Sequence, residues 1–423
     1  MREYIERISD KVLAEHLESK GAVLIEGPKW CGKTTSGKHL AKSFMEMDRP
    51  DMTEQYQQMA RLKPTALLEG EVPRLIDEWQ IAPGIWNAVR YEVDQRGEFG
   101  QFILTGSSVP PVLDESMHTG TGRIVRMKMR PMSLYESKDS TGTVSLEDMF
   151  LGKDIYASDN RNIDDIAYFI CRGGWPLAIN VSKNIALKQA FDYYDSIVND
   201  DISRVDGVRR DSERTKRLMK SYARNVATQA SLETIREDCI VNDTDTFDKE
   251  TLYSYINALK KTFVIEDSPA WNPNLRSKTA IRTADTRYFV DPSIVTAALG
   301  LGPEDLINDL NMMGLIFENL CVRDLRIYAD ALDGDVYHYR DKTGLECDAV
   351  VHLRNGRYGL VEVKLGGDKL INEGAETLLK LVNKIDLDKM KEPAFTMVLC
   401  GVAPFAYRRE DGVYVVPISC LKN

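Results

Sequence analysis

Apolar positions near the start of the chain follow two rhythms. Ile5, Ile8, Val12, Leu13 and Leu17 recur at helical spacing and predict a helix over 1–20. Residues 22–25 (AVLI) are a short apolar run between Gly21 and Gly27, the pattern of a strand buried on both faces. A polar, helix-compatible stretch runs from Thr34 to Met47, and residues 72–77 (VPRLID) and 101–105 (QFILT) are two further short buried strands. Strands alternating with helices imply an α/β fold with a doubly wound parallel sheet.

Prolines 110, 111 and 131 and several glycines break 106–145 into loops and short strands, and 163–198 is mostly helical, interrupted at Gly173-Gly174-Trp175-Pro176. Residues 214–262 hold three helical stretches; Ser231 and Asp248 are placed to cap two of them. Short strands around a polar turn follow over 263–290, so this part has a winged-helix outline. Past Leu299 the spacing predicts a helix over 306–329, strands over 336–340, 346–353 and 358–364, a helix over 373–384, and strands over 396–400 and 413–419. The expected domains are 1–200, 201–299 and 300–423, in keeping with the length of 423 residues.

Composition narrows the class. With 43% apolar and 28% charged residues the chain is globular. A net charge of −10 excludes a strongly basic whole-protein field, so any nucleic-acid contact needs a local patch. The seven cysteines include no CxxC pair, which argues against a zinc ribbon or disulfide framework and suits a reducing compartment. No apolar run approaches the roughly 18 residues of a membrane span, and the first residues lack the apolar core of a secretory signal. A cytoplasmic protein with no membrane partner is expected.

Gly27-Pro28-Lys29-Trp30-Cys31-Gly32-Lys33-Thr34 matches GxxxxGK[ST] in full, followed by Thr35, with a buried strand entering and a helix leaving. Glycines let successive N–H groups turn inward at a helix N-terminus and cradle an anion. Lys33 would reach the β- and γ-phosphates and the Thr34 hydroxyl would sit on Mg²⁺. Leu75-Ile76-Asp77-Glu78 supplies the expected acids: Asp77 for the metal through water, Glu78 to polarise an attacking water. The third strand ends in Thr105-Gly106-Ser107-Ser108, where Ser107 would sense the γ-phosphate. Arg123 would serve as an arginine finger, in cis or in trans; the trans role requires a homo-oligomer.

These residues, together with Gly122-Arg123, Arg130-Pro131-Met132-Ser133-Leu134 with Glu136, and Arg172-Gly173-Gly174-Trp175-Pro176, resemble a large prokaryotic family. In it an AAA-type ATPase domain is followed by a C-terminal domain of unknown function. The resemblance covers nearly the whole chain and implies ATP as the nucleotide. Asn383-Lys384-Ile385-Asp386 fits the guanine-reading NKxD pattern, but it ends an amphipathic helix about 350 residues past the phosphate loop, where no strand of the same sheet precedes it.

Residues 204–236 carry nine Lys/Arg against four acids, a net +5. With Lys249, Tyr253, Tyr255, Asn257, Lys260 and Lys261 on the following helix, 204–262 is an electrostatic footprint for DNA or another nucleic acid, unless the segment is a protein–protein joint. In the tail, Asp348, Glu362 and Lys364 read D-x13-E-x-K. Residues two apart on a strand share a face, so Glu362 and Lys364 point together with Asp348 beside them. Glu318 is a further acid. The set resembles the PD-(D/E)XK nuclease fold, with Cys347 at the motif's proline position, and implies a second Mg²⁺ or Mn²⁺. The leading expectation is an ATP-hydrolysing AAA-type switch or remodeller with a nucleic-acid-binding, nuclease-like tail. The alternative is a non-catalytic, ATP-gated docking module that uses its C-terminal domains on an unknown protein partner. A small-molecule kinase fits less well with the vicinal acid pair and two added domains.

Overall fold

The structure, a computed structural model, describes residues 3–106, 120–240, 247–271, 284–388 and 390–423. Five strands, β1 (Ala22–Glu26), β2 (Ser43–Glu46), β3 (Arg74–Asp77), β4 (Phe102–Gly106) and β5 (Ile124–Lys128), form one parallel sheet in the order β2-β3-β4-β1-β5. Side chains alternate faces along each strand, and both faces are covered. Ala22, Leu24, Ile76 and Leu104 pack with Ile85 and Val89 of the helix Gly84–Arg96. Val23, Ile25, Leu75 and Ile103 pack with Leu13 and Leu17 of the helix Ile8–Ser19. That two-sided burial explains why β1 and β4 read as apolar runs.

Two early expectations need correction. The polar stretch from Thr34 to Met47 is helical only over Lys33–Leu40; its end is β2, an edge strand of sequence SFME with no fully buried residue. Its backbone pairing with β3 holds it, and its side chains carry no strand signature. The first helix starts at Ile8, and residues 3–7 are an irregular arm that includes Ile5. Arg7 on that arm is buried by polar contacts that no apolar periodicity reveals.

Downstream lie three helices, Ser212–Arg224, Leu232–Cys239 and Lys249–Lys261, capped by Asp211, Ser231 and Asp248 through hydrogen bonds of 2.8, 3.0 and 2.7 Å. Antiparallel bridges Ile265↔Phe289 and Ser268↔Thr286 follow them. The last part is a mixed sheet of β8 (Gly334–Arg340), β9 (Glu346–Leu353), β10 (Tyr358–Gly366), β11 (Phe395–Val402), β12 (Phe405–Arg408) and β13 (Tyr414–Pro417). Val361 and Val363 face the long helix Leu310–Asp330, while Leu360 and Val398 face the helix Asp368–Val382.

Two short pairings tie the ends of the chain together. β6 (Val144–Ser145) pairs with β14 (Leu421–Lys422), and β7 (Ala157–Ser158) adds to β12 at the edge of the mixed sheet. Residues before 200 therefore complete structure built after 400. The long helix is the hub of the join. Its Arg323 pairs with Asp291 (2.8 Å) and Asp324 (2.7 Å), and all three are buried. Asp324 accepts the Leu134 N–H (2.9 Å), and Asp291 accepts the Gly174 N–H (2.9 Å). Burial pushes the Asp324 carboxyl up to about 6 even though Arg323 opposes the shift. Among the described residues no helix is long and apolar enough to cross a membrane.

Candidate functional site

The carboxyl ends of β1, β3 and β4 lie side by side, with β4 between the other two. The turn after β1 is the glycine-rich loop. Gly32 takes φ +105°, a conformation closed to most side chains, and a Cβ at Gly27 would run into the Met129 carbonyl. The helix Lys33–Leu40 starts directly behind it, its N-terminus at the loop. Lys33 is buried, and its ammonium donates to the Gly27 carbonyl (2.9 Å) and the Pro28 carbonyl (2.7 Å). The Thr34 hydroxyl donates to both Asp77 oxygens, at 2.9 and 3.0 Å. Thr105, on the strand between, donates its hydroxyl to Asp77 Oδ1. Burial raises the Asp77 carboxyl above its ordinary range, and the two hydroxyls pull it back.

The remaining loop residues have structural partners. Lys29 pairs with Asp201 at 2.5 Å, Trp30 (φ +65°) packs its ring on Tyr193 at 5.4 Å, and Thr35 lines a cavity of about 750 Å³ together with Gly32 and Ser36. Cys31 is a buried filler in the loop. Glu78 follows Asp77 at φ +51° and is held by Gln80 Nε2. Such a backbone outlier beside a polar cluster is the kind of strain that functional sites store. Ser107 lies outside the described residues. Arg123 does not join the cluster. Its carbonyl accepts from Ala22, the first residue of β1, so it sits at the amino end of the sheet, where its guanidinium pairs with Asp94 at 2.8 Å. Four residue steps, roughly 13 Å, separate that row from the loop. In this arrangement Arg123 stands apart from the phosphate loop, and its guanidinium is engaged by Asp94.

The donor set suits a nucleotide with Mg²⁺. A lysine bonded only to carbonyls, a helix N-terminus and a hydroxyl–carboxylate pair offer what a polyphosphate and a hydrated hard cation need. Lys33, Thr34 and Asp77 would hold them.

A second polar cluster lies on β9, β10 and the long helix. Lys364 Nζ bonds Glu362 Oε2 at 2.7 Å and stands 3.6 Å from Asp348 Oδ2, which also accepts the Val363 N–H at 2.7 Å. Glu318 accepts from the buried Tyr288 hydroxyl at 2.5 Å. Glu362 Oε1 is buried with no hydrogen-bond partner among the described residues. Burial first, then the charge of Asp348, push Glu362 up to about 8; the same two causes hold Glu318 well above its usual range. The four expected residues thus come together, but among the described residues no three His, Cys, Asp or Glu side chains stand in a metal-holding arrangement. Lys364 supplies the positive charge beside these acids. Glu318 and Asp348 line a cleft of about 180 Å³ with His338, whose Nδ1 faces the Ser268 carbonyl and whose buried Nε2 has no hydrogen-bond partner among the described residues.

On the helix Lys249–Lys261, Lys249, Tyr253, Asn257 and Lys260 are exposed, while Tyr255 is buried and accepts the Asp211 N–H. Basic residues of this segment are paired locally: Arg210 with Asp206, Lys216 with Glu213 and Arg236 with Glu233 inside it, and Arg204 with Asp200 and Arg224 with Asp238 across its two ends.

Sequence reasoning missed Thr105 as an Asp77 partner, Arg7, Asp201, Tyr288 and His338. Each acts across a gap of tens to hundreds of residues, and only Thr105 carried a local signal, at the end of an apolar strand.

An AAA domain matches residues 19–138, and two domains of unknown function, DUF8612 and DUF4143, match 163–305 and 313–421. The first 138 residues thus contain an AAA-type P-loop domain. No curated protein matches the chain. Among solved structures, a Walker-type ATPase of Pyrococcus abyssi aligns at 15% identity and TM-score 0.43, over 70% of this chain and 96% of its own. Thermotoga maritima RuvB aligns at 16% and 0.28 (62% and 88%), and a DNA replication initiation factor at 14% and 0.24 (62% and 96%).

Proposed function

We propose that this protein is a Mg²⁺-dependent ATPase, a molecular switch whose nucleotide site governs the domains that follow it. The observation that carries the reading is Asp77, which receives the hydroxyls of Thr34 and Thr105 at the mouth of the phosphate loop, with Glu78 as the next residue. The magnesium nucleotide supplies the phosphoanhydride and the charge that draws these groups together. The chain supplies the rest. Loop amides and Lys33 bind the phosphates and stabilise charge on the transferring group. Thr34 and Asp77 orient the metal's shell. Glu78 takes the proton of the attacking water, and Arg123 of a second copy completes the site in trans.

The C-terminal region is read as a PD-(D/E)XK-like domain and 201–299 as a winged-helix-like one, both directed at nucleic acid. The D-E-x-K cluster supports this; the locally paired basic residues favour the second reading, an ATP-gated module that docks on protein. Salt-dependent binding to duplex DNA separates the two. The ATPase reading is tested by phosphate release from wild type, Lys33→Ala and Glu78→Gln. It expects both variants to lose turnover while Glu78→Gln still binds ATP; unchanged turnover in both ends it.

A further inference from the structure

The phosphate loop is anchored from behind by a residue outside every nucleotide motif. Arg7, on the arm before the first helix, donates from Nη1 to the Cys31 carbonyl at 2.7 Å and from Nη2 to the Arg130 carbonyl at 2.8 Å. Its Nε pairs with Glu136 Oε1 at 2.9 Å, and both side chains are almost fully buried, at 4% and 1% exposure. Glu136 is itself satisfied: Oε1 also accepts the Ile8 N–H at 2.9 Å, and Oε2 accepts the Ser133 N–H at 2.7 Å and the Ser133 hydroxyl at 3.0 Å. On the same arm Tyr4 donates to Asp10, meets the Ser36 hydroxyl at 3.0 Å and stacks on His39 at 4.1 Å. The arm therefore grips the loop just before Gly32 and the helix just after Lys33.

A peptide unit is planar and trans, so its C=O and N–H point in opposite directions. Holding the Cys31 carbonyl outward fixes the Gly32 N–H inward, toward the space a phosphate takes. The hold matters because Gly32, at φ +105°, has the backbone freedom to turn the peptide over. A buried carbonyl left without a donor is also unfavourable, which Arg7 prevents.

We infer that Arg7, backed by Glu136, is a positioning residue of the nucleotide site that pre-sets the phosphate loop before ligand arrives. This rests on the reading of the loop as a nucleotide site. Arg7 touches no reacting atom, so it governs affinity more than turnover.

The test compares wild type, Arg7→Lys and Glu136→Gln by amide hydrogen exchange over residues 27–34 without nucleotide, calorimetry with Mg-ADP, steady-state ATPase and thermal melting. Lysine keeps the charge but cannot bridge two carbonyls and a carboxylate in one plane. Arg7→Lys is expected to melt cooperatively, to exchange its loop amides about tenfold faster and to bind Mg-ADP about tenfold more weakly, the effect of one lost charged hydrogen bond. KM rises by a similar factor and kcat stays within about threefold. Glu136→Gln, which keeps an acceptor for Arg7, shifts the same quantities less and decides the matter if Arg7→Lys fails to fold. Wild-type exchange and affinity in both variants would overturn the inference, as would weaker binding with unchanged loop exchange. Faster loop exchange in Arg7→Lys, in a wild-type background that takes up no nucleotide, would sink the ATP reading and support the anchor.

Discussion

The phosphate loop and the C-terminal acid cluster each set a lysine beside carboxylates, yet they are built in opposite ways. At the loop, Lys33 is bonded only to carbonyls and Asp77 only to hydroxyls among its hydrogen-bond partners, so neither charge is cancelled by the other. At the cluster, Lys364 lies between Glu362 and Asp348, and one Glu362 oxygen has no hydrogen-bond partner among the described residues. The first site holds donors ready for an anion and an acid ready for a cation. The second has neutralised itself. A lysine near acids is therefore not one kind of site: what matters is whether the charges already answer one another.

The largest expected effect breaks the comparison at its strong end. Lys33→Ala should lower ATP turnover at least ~100-fold, and Glu78→Gln should do the same while leaving binding within a few-fold, measured by phosphate release and calorimetry. Equal loss of binding in Glu78→Gln would mean that Glu78 acts on ground-state affinity and not on the water.

Next in size is the join between the two regions. Arg323→Ala leaves Asp291 and Asp324 buried without a counter-ion and should cost about 3–5 kcal/mol in urea unfolding. An effect under ~1 kcal/mol would show that the hub is not closed.

A pH series sharpens the same join. Asp324 is raised from 3.8 to about 6, so the folded protein holds that proton more tightly than the unfolded chain. The stability it contributes is complete below 3.8 and is lost as pH rises through 6. Over that window Asp324→Asn should flatten the slope of stability against pH by about 1–3 kcal/mol in total. An unaltered slope would assign the titration elsewhere.

The weak end of the comparison is the cluster. If any strand cleavage occurs it should need added Mn²⁺ or Mg²⁺ and vanish in Asp348→Ala and Lys364→Ala, with ATPase unchanged within about twofold. Metal-independent nicking would mean a different site. Smallest of all is Arg123→Ala. At dilutions where chains are separate it should change turnover less than about twofold, with a larger loss only at concentrations that favour assembly.

What the sequence disclosed follows from how far apart the partners are. The loop residues 27–34, the Asp77-Glu78 pair and the E-x-K of β10 are local, and alternation along one strand is enough to align Glu362 with Lys364. The buried strands β1 and β4 were legible because two-sided burial writes an apolar run, and β3 by the Leu75-Ile76 pair before its acids. β2 was hidden because an edge strand held by its backbone needs no apolar side chains. Arg7 with Glu136, Lys29 with Asp201, Tyr288 with Glu318, and Arg323 with Asp291 are polar pairs made by the tertiary fold. Nothing in composition or period marks them, and the helical spacing that includes Ile5 even suggests the wrong conformation for Arg7's neighbours.

The most direct test of the central claim is isothermal calorimetry of Mg-ATP into the 423-residue chain beside Lys33→Ala. The account predicts saturable binding near one nucleotide per chain in wild type and none detectable in the variant. No heat in wild type at any concentration reached, or identical binding in the variant, would contradict it.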